Sequence, residues 1–291
     1  MKLSMHHHHR EMRGDRRRRR GMYLLPSMLT SLNLFWGFYA ILQAVQATNA
    51  TPWHFDNAAK AIGIAVVFDG LDGAVARLTN TASEFGKELD SLADMVAFGV
   101  APAVLAWMWG FHFVPLAGMQ EDLLHLLQFG SIAATFAFLG CGAARLARFN
   151  VSINPQPKNP GRPGRKYFVG MPIPGGAGCV AAVIHFSHGW PVQIWWQSLL
   201  WLAYISFCGF LMVSTWRFWS TKSINLQSRH SYRLIPIFGL TLCLVLFFSY
   251  YFLLAVTLLY MVSGVLARLA YGLSRQRRLQ LPVAGEETKI S

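Results

Sequence analysis

FDGLDGAVARLTNTASEFGKELDSLADMVAFG, residues 68–99, sets four aspartates in a stretch that is otherwise mostly apolar, small or helix-forming. Asp69 and Asp72 are three residues apart and Asp90 and Asp94 four apart, so each pair shares one face of a helix. Between the pairs, Leu78 to Phe85 forms a short, polar linker that suits a tight connection between antiparallel neighbours. The two acidic faces can therefore meet. Four converging carboxylates repel one another and lose hydration unless cations neutralise them. No Cys or His lies within the motif, so the donors are hard oxygens, the set that favours Mg²⁺ or Mn²⁺. Two such ions can clamp a phosphoryl group between nucleophile and leaving group.

The surroundings of this motif are lipid-like. Apolar residues make up 54% of the chain and charged residues only 13%, a balance that points away from a soluble domain. They gather in blocks of about 20, the length at which a helix crosses a bilayer core. The blocks cover 26–46, 57–77, 86–109, 124–148, 171–188, 194–215, 234–251 and 253–272. The expected fold is an all-α polytopic membrane protein with about eight transmembrane helices. The last two are expected to form a hairpin, with Ser249, Tyr250 and Tyr251 near its turn at headgroup level. The first block is too long for a signal-peptide core and lacks a small-residue cleavage site, so it is expected to remain as an anchor.

A net charge of +13 raises the question of nucleic acid, which the placement of the basic residues answers. Lys and Arg fall almost wholly on one side: in the N-terminal tail, after the second block, from Arg145 to Lys166, from Arg217 to Arg233, and in the C-terminal tail. Only Lys60 is left on the other. That is the positive-inside pattern, so both termini and the acidic motif are expected at the cytoplasmic face of the cell (inner) membrane. No nucleic-acid partner is expected. The organisation read from this is a basic cytoplasmic tail (1–25), catalytic helices one to six (26–215), a cytoplasmic loop with helices seven and eight (216–272), and a cytoplasmic tail (273–291). Arg16 to Arg20 can meet anionic headgroups or simply set topology. The four cysteines lie scattered through apolar blocks without a CxxC pair and read as packing residues. His6 to His9, in a tail, receive no role.

Small residues interleave with the first acid pair. Gly70, Gly73, Ala74 and Ala76 remove bulk, which lets a flat base or a pyrophosphate approach the backbone and equally lets helices pack closely. Arg77 supplies a charge able to contact phosphate oxygens in two places. The pattern DxxDGxxAR, eight residues, GxxxDxxxD resembles the signature of the CDP-alcohol phosphatidyltransferase family, with every fixed position present. The resemblance implies that family's helical bundle, typically a homodimer. It implies two metals on Asp69, Asp72 and Asp90 with help from Asp94, which would also be the general base. It further implies a CDP site formed by Asp69, Gly73, Ala76, Arg77 and Gly86.

Three further stretches, RGMYLLPSMLTSLNLFWGFYAI, RLARFN and FVGMPIPGGAG, are similar to the bacterial phosphatidylserine synthase branch of that family. Ser27, Gly175 and Gly176 depart from its usual residues. The branch implies CDP-diacylglycerol as donor in the phospholipid membrane and L-serine as acceptor, with phosphatidylserine and CMP as products. A serine carboxylate needs a cation, and Arg145 and Arg148, with Asn150, are the candidates; snorkelling arginines that set topology are the other reading. Acceptors that would make phosphatidylglycerophosphate, phosphatidylinositol phosphate, cardiolipin or phosphatidylcholine remain alternatives. An ion-coupled transporter is the rival from another class, against which stand the absence of a visible repeat and the position of the acids beside a loop.

Overall fold

The computed structural model of the chain describes residues 27–79, 83–115, 120–151, 167–219 and 234–280. The basic N-terminal tail with His6 to His9 and Arg16 to Arg20, and most of the Pro- and Gly-rich loop 150–170, lie outside them. The helices are α1 (Ser27–Gln46), α2 (Trp53–Thr79), α3 (Glu84–Asp94), α4 (Ala101–Gly110), α5 (Glu121–Val151), α6 (Ile173–Phe186), α7 (Trp195–Val213) and α8 (Leu234–Gln280). A π-helical turn, Met95–Val100, joins α3 to α4, so that Glu84–Gly110 runs as one rod. Two three-residue strands, β1 (Tyr167–Val169) and β2 (Arg217–Trp219), pair antiparallel with Phe168 opposite Phe218. This small ribbon is the one addition to the all-α expectation among the described residues.

Five helices are long and apolar enough to cross a membrane: Ser27–Gln46, Glu84–Gly110, Glu121–Val151, Trp195–Val213 and Gly239–Tyr271. The chain is a helical membrane protein, and by this measure the count falls short of eight for three physical reasons. Charged residues such as Asp56, Lys60, Asp69 and Asp72 dilute α2, and α6 has only 14 residues. The third reason is that the two last expected helices, which meet at a kink, are counted together within Leu234–Gln280. The break falls at Phe248, whose φ of −129° and ψ of 30° leave the helical region.

Lipid offers helices no hydrophobic reason to associate, so packing depends on small residues and polar contacts. Along α1, Thr30, Asn33, Gly37, Ala40 and Ala44 are buried at helical spacing, while Phe35 and Phe38 face outward. Gly37 meets the π-helical turn directly, since a Cβ there would lie 2.6 Å from the Ala97 Cα. Ser198 and Trp201 of α7 donate to the carbonyls of Gly110 (2.7 Å) and Ala106 (3.0 Å), fixing α7 against the end of α4.

The two ends of the bundle differ. At one, β1 and β2 are held to the helices by Arg148, which donates to the Val213 (3.2 Å) and Val169 (3.0 Å) carbonyls. Phe218 of β2 is fully buried and sits where a Cβ on Gly264 of α8 would go. At the other end, His185 of α6 joins Asp56 of α2 to Ser249, just after the break in α8.

Candidate active site

The acidic residues come from successive helices, Asp69 and Asp72 from α2 and Asp90 and Asp94 from α3. Ser83 caps α3 by accepting a 3.0 Å hydrogen bond from the Gly86 amide, which starts the helix where Asp90 and Asp94 fall on its inner face. Carboxylate oxygens of Asp69, Asp90 and Asp94 all lie within 4.8 Å of one another. Asp72 stands beside this trio rather than in it: its carboxylate is buried and accepts a hydrogen bond from the Thr30 hydroxyl of α1. Three convergent carboxylates, all hard oxygens, fit a divalent cation, whose charge offsets the repulsion among them. Asp94 directly precedes the π-helical turn, a distortion that often marks functional sites and here reorients the rod at its buried acid.

Thr30 and Asn33 were not singled out from the sequence. Asn33 is 0% exposed and donates through Nδ2 to Asp94 Oδ1 at 3.1 Å. Its own Oδ1 is buried without a hydrogen-bond partner. The signal that could have found both residues is their position: two polar side chains on the face of α1 otherwise lined by Gly37, Ala40 and Ala44. A polar group turned inward in a membrane helix is costly unless it serves a partner or a ligand.

The residues expected to contact CDP lie on the same two helices. Gly73 and Ala76 are partly buried on α2, one turn along from the acids, and a Cβ on Gly70 would meet nothing within 4 Å. The backbone of Arg77 continues α2, and its side chain lies outside the described residues. Gly86 is engaged in the α3 cap, and a Cβ there would come 3.0 Å from Ser83 Oγ.

The three acceptor candidates separate. Arg145 is buried with its Nε unpartnered, and it is close enough to Asp94 for the two charges to interact. Arg148, one turn on, is committed to the carbonyls that anchor the β-ribbon. Asn150 is exposed and donates to Ser91 Oγ at 2.9 Å, linking the end of α5 to α3. Only Arg145 brings an incompletely satisfied cation up to the acids. A buried guanidinium with an orphaned N–H beside these carboxylates has a donor left for an anion.

A family model for CDP-alcohol phosphatidyltransferase matches residues 23–197, which contain the whole carboxylate cluster and Arg145. Among curated proteins, the CDP-diacylglycerol–serine O-phosphatidyltransferase of Helicobacter pylori (strain ATCC 700392 / 26695) is 35% identical over 205 residues, covering 70% of this chain and 75% of the relative. The protein of that name from Methanocaldococcus jannaschii is 30% identical over 247 residues, 85% of this chain and 95% of the relative. The one from Saccharomyces cerevisiae is 43% identical over 147 residues, 50% and 48% of the two chains. With most of the chain matched and the signature acids gathered at one point, the protein belongs to the CDP-alcohol phosphatidyltransferase family.

Proposed function

We propose that the protein is a phosphatidylserine synthase, transferring the phosphatidyl group of CDP-diacylglycerol to the hydroxyl of L-serine and releasing CMP. The observation that carries this reading is the gathering of Asp69, Asp90 and Asp94 within 4.8 Å beside a buried arginine. The relatives named for that reaction support the choice of substrates.

An alcohol is a weak nucleophile, so a carboxylate must take its proton as the oxygen attacks phosphorus. Asp94 has that role. Asn33 holds its Oδ1, and its second oxygen would take the proton. As the serine oxygen bonds to the phosphorus bearing diacylglycerol, the pyrophosphate P–O bond breaks and CMP departs with the electron pair. Asp69, Asp72, Asp90 and Asp94 would hold Mg²⁺ or Mn²⁺. Two such bound ions would stabilise negative charge on the transferring phosphate. Gly73, Ala76, Arg77 and Gly86 border the nucleotide, Arg145 receives the serine carboxylate, and Arg148 and Asn150 support the wall behind it. The acyl chains stay in lipid, so the site opens at the cytoplasmic membrane face, with both termini on that side, in a homodimer.

The test is to give purified protein CDP-diacylglycerol, a divalent cation and a panel of acceptors: serine, glycerol 3-phosphate, inositol phosphate, phosphatidylglycerol and choline. Phosphatidylserine with stoichiometric CMP is expected. A different lipid would reassign the acceptor, and no CMP with any acceptor would remove the enzymatic reading, as a carrier would behave.

A further inference from the structure

The unpartnered Oδ1 of Asn33 is the second orphaned polar atom at this site, and it has the opposite polarity to the first. Arg145 Nε is a donor without an acceptor, whereas Asn33 Oδ1 is an acceptor without a donor. With Asn33 Nδ2 hydrogen-bonded to Asp94 Oδ1, the amide oxygen is the atom left without a partner. An amide carbonyl with no exposed surface loses its hydration and gains nothing in return unless something brings a donor to it. Whatever completes this site therefore carries an anionic group for Arg145 and a hydrogen-bond donor for Asn33.

Resting on the reading of the protein as a serine phosphatidyltransferase, we infer that Asn33 Oδ1 accepts a hydrogen bond from the α-ammonium of the acceptor and so selects amino alcohols. The arrangement has a simple geometric basis. Asn33 Nδ2 holds one oxygen of Asp94, so the amide oxygen lies beside the carboxylate that takes the hydroxyl proton. In serine the hydroxyl and the ammonium sit on adjacent carbons. A molecule whose hydroxyl is presented to Asp94 thus brings its ammonium to the neighbouring amide oxygen, while its carboxylate turns to Arg145. The three functional groups of serine find three different partners: a base, a neutral acceptor and a cation. A carboxylate in place of Asn33 would attract an ammonium more strongly but would repel Asp94, and a neutral amide avoids that conflict. A metal-bound water is the other donor that could reach the same oxygen.

The experiment compares serine with 3-hydroxypropionate, which keeps the hydroxyl and the carboxylate and lacks only the ammonium. Phosphatidylserine formation by the unaltered protein comes first, since without it the underlying reading fails before the inference is tested. Given that activity, kcat/KM for serine should exceed that for 3-hydroxypropionate by roughly 100-fold or more, because the site would leave its carbonyl unpaired with the analogue. Absence of such discrimination in the unaltered protein overturns the inference without recourse to any variant. In Asn33→Leu, the preference should shrink to about 10-fold or less, mainly through loss of serine turnover. Mn²⁺ binding, followed by electron paramagnetic resonance in detergent, should remain measurable in that variant, weakened by loss of the Asn33–Asp94 contact, and shows that the site has assembled. A merely structural role would depress both acceptors equally, leaving their ratio unchanged. If the ratio persists while Mn²⁺ affinity falls, the donor is metal-bound water and the inference is wrong. Should Asn33→Leu fail to assemble, Asn33→Ser, which keeps a smaller acceptor, is measured by the same ratio and must show an intermediate value.

Discussion

His185 Nδ1 lies 2.5 Å from Asp56 Oδ1, joining residues 129 positions apart at the end of the bundle remote from the acidic cluster. Lys60 takes the other oxygen of Asp56 at 2.7 Å, and His185 Nε2 pairs with Ser249 Oγ at 2.9 Å. Tyr250 stacks on the same imidazole with ring centroids 4.3 Å apart. One buried side chain thus ties α2, α6 and the break in α8 together. Asp56→Leu leaves His185 and Lys60 without their shared partner, and stranding a buried hydrogen-bonding group costs about 1–3 kcal/mol. A clear fall in the thermal midpoint in detergent is expected, with a smaller fall for Ser249→Ala. An unchanged midpoint for Asp56→Leu would show that the contact contributes nothing to holding the bundle.

Asp94→Asn should abolish turnover while leaving measurable binding of CDP-diacylglycerol. The substitution keeps the side chain's size and its approach to Asn33, but removes the base proposed to take the hydroxyl proton. Asp90→Asn takes one carboxylate from the trio and should raise the divalent-ion concentration needed for half-maximal rate. Retention of near-normal turnover by either variant would contradict its assigned role. Chelation of divalent ions should stop product formation in the unaltered protein, with recovery on adding back Mg²⁺ or Mn²⁺.

How much of this could be read from the chain depends on what kind of signal each residue leaves. Asp69, Asp72, Asp90 and Asp94 stand out because charge is rare in apolar blocks, and their three- and four-residue spacings already imply shared helix faces. Sequence spacing cannot report how far each carboxylate turns, so the pairing of Asp72 with Thr30 emerges only from the fold. Asn33 and Thr30 act across a helix contact that depends on Gly37 meeting Ala97, a long-range event invisible in local pattern. The division between Arg145 and Arg148 is likewise tertiary. Both end α5, but the β-ribbon that claims Arg148 is assembled from segments on either side of α6 and α7. For α8, two apolar blocks with aromatic residues between them point to two helices, and the kink that divides the element falls at Phe248, three residues before the first block ends.

Thr30→Val removes the hydroxyl that orients Asp72 and keeps the side chain's shape. Partners standing behind metal ligands typically matter by 10- to 100-fold in metal affinity or activity, so a loss of roughly that size in Mn²⁺ affinity is expected. Asp72→Asn should show a similar defect, and the two changes combined should cost little more than either alone, because both act through one carboxylate. Fully additive losses in a Mn²⁺ titration would separate Thr30 from Asp72 in function.

The two arginines at the end of α5 should fail in different ways. Arg148 donates to the carbonyls of Val169 and Val213, so Arg148→Leu strands two acceptors and loosens the ribbon against α7. Its signature is a lower thermal midpoint, with whatever activity survives showing an ordinary dependence on serine. Arg145 makes no such structural bond through its Nε and approaches Asp94 instead. Arg145→Leu should therefore raise the KM for serine at least roughly tenfold, the scale of a lost charge-assisted hydrogen bond, while leaving the KM for CDP-diacylglycerol nearly unaltered. Ethanolamine, which lacks the carboxylate, supplies the control: it should be a poor acceptor for the unaltered protein and should lose nothing further in Arg145→Leu. If serine and ethanolamine decline together in that variant, Arg145 supports the fold of the site rather than the carboxylate of its acceptor.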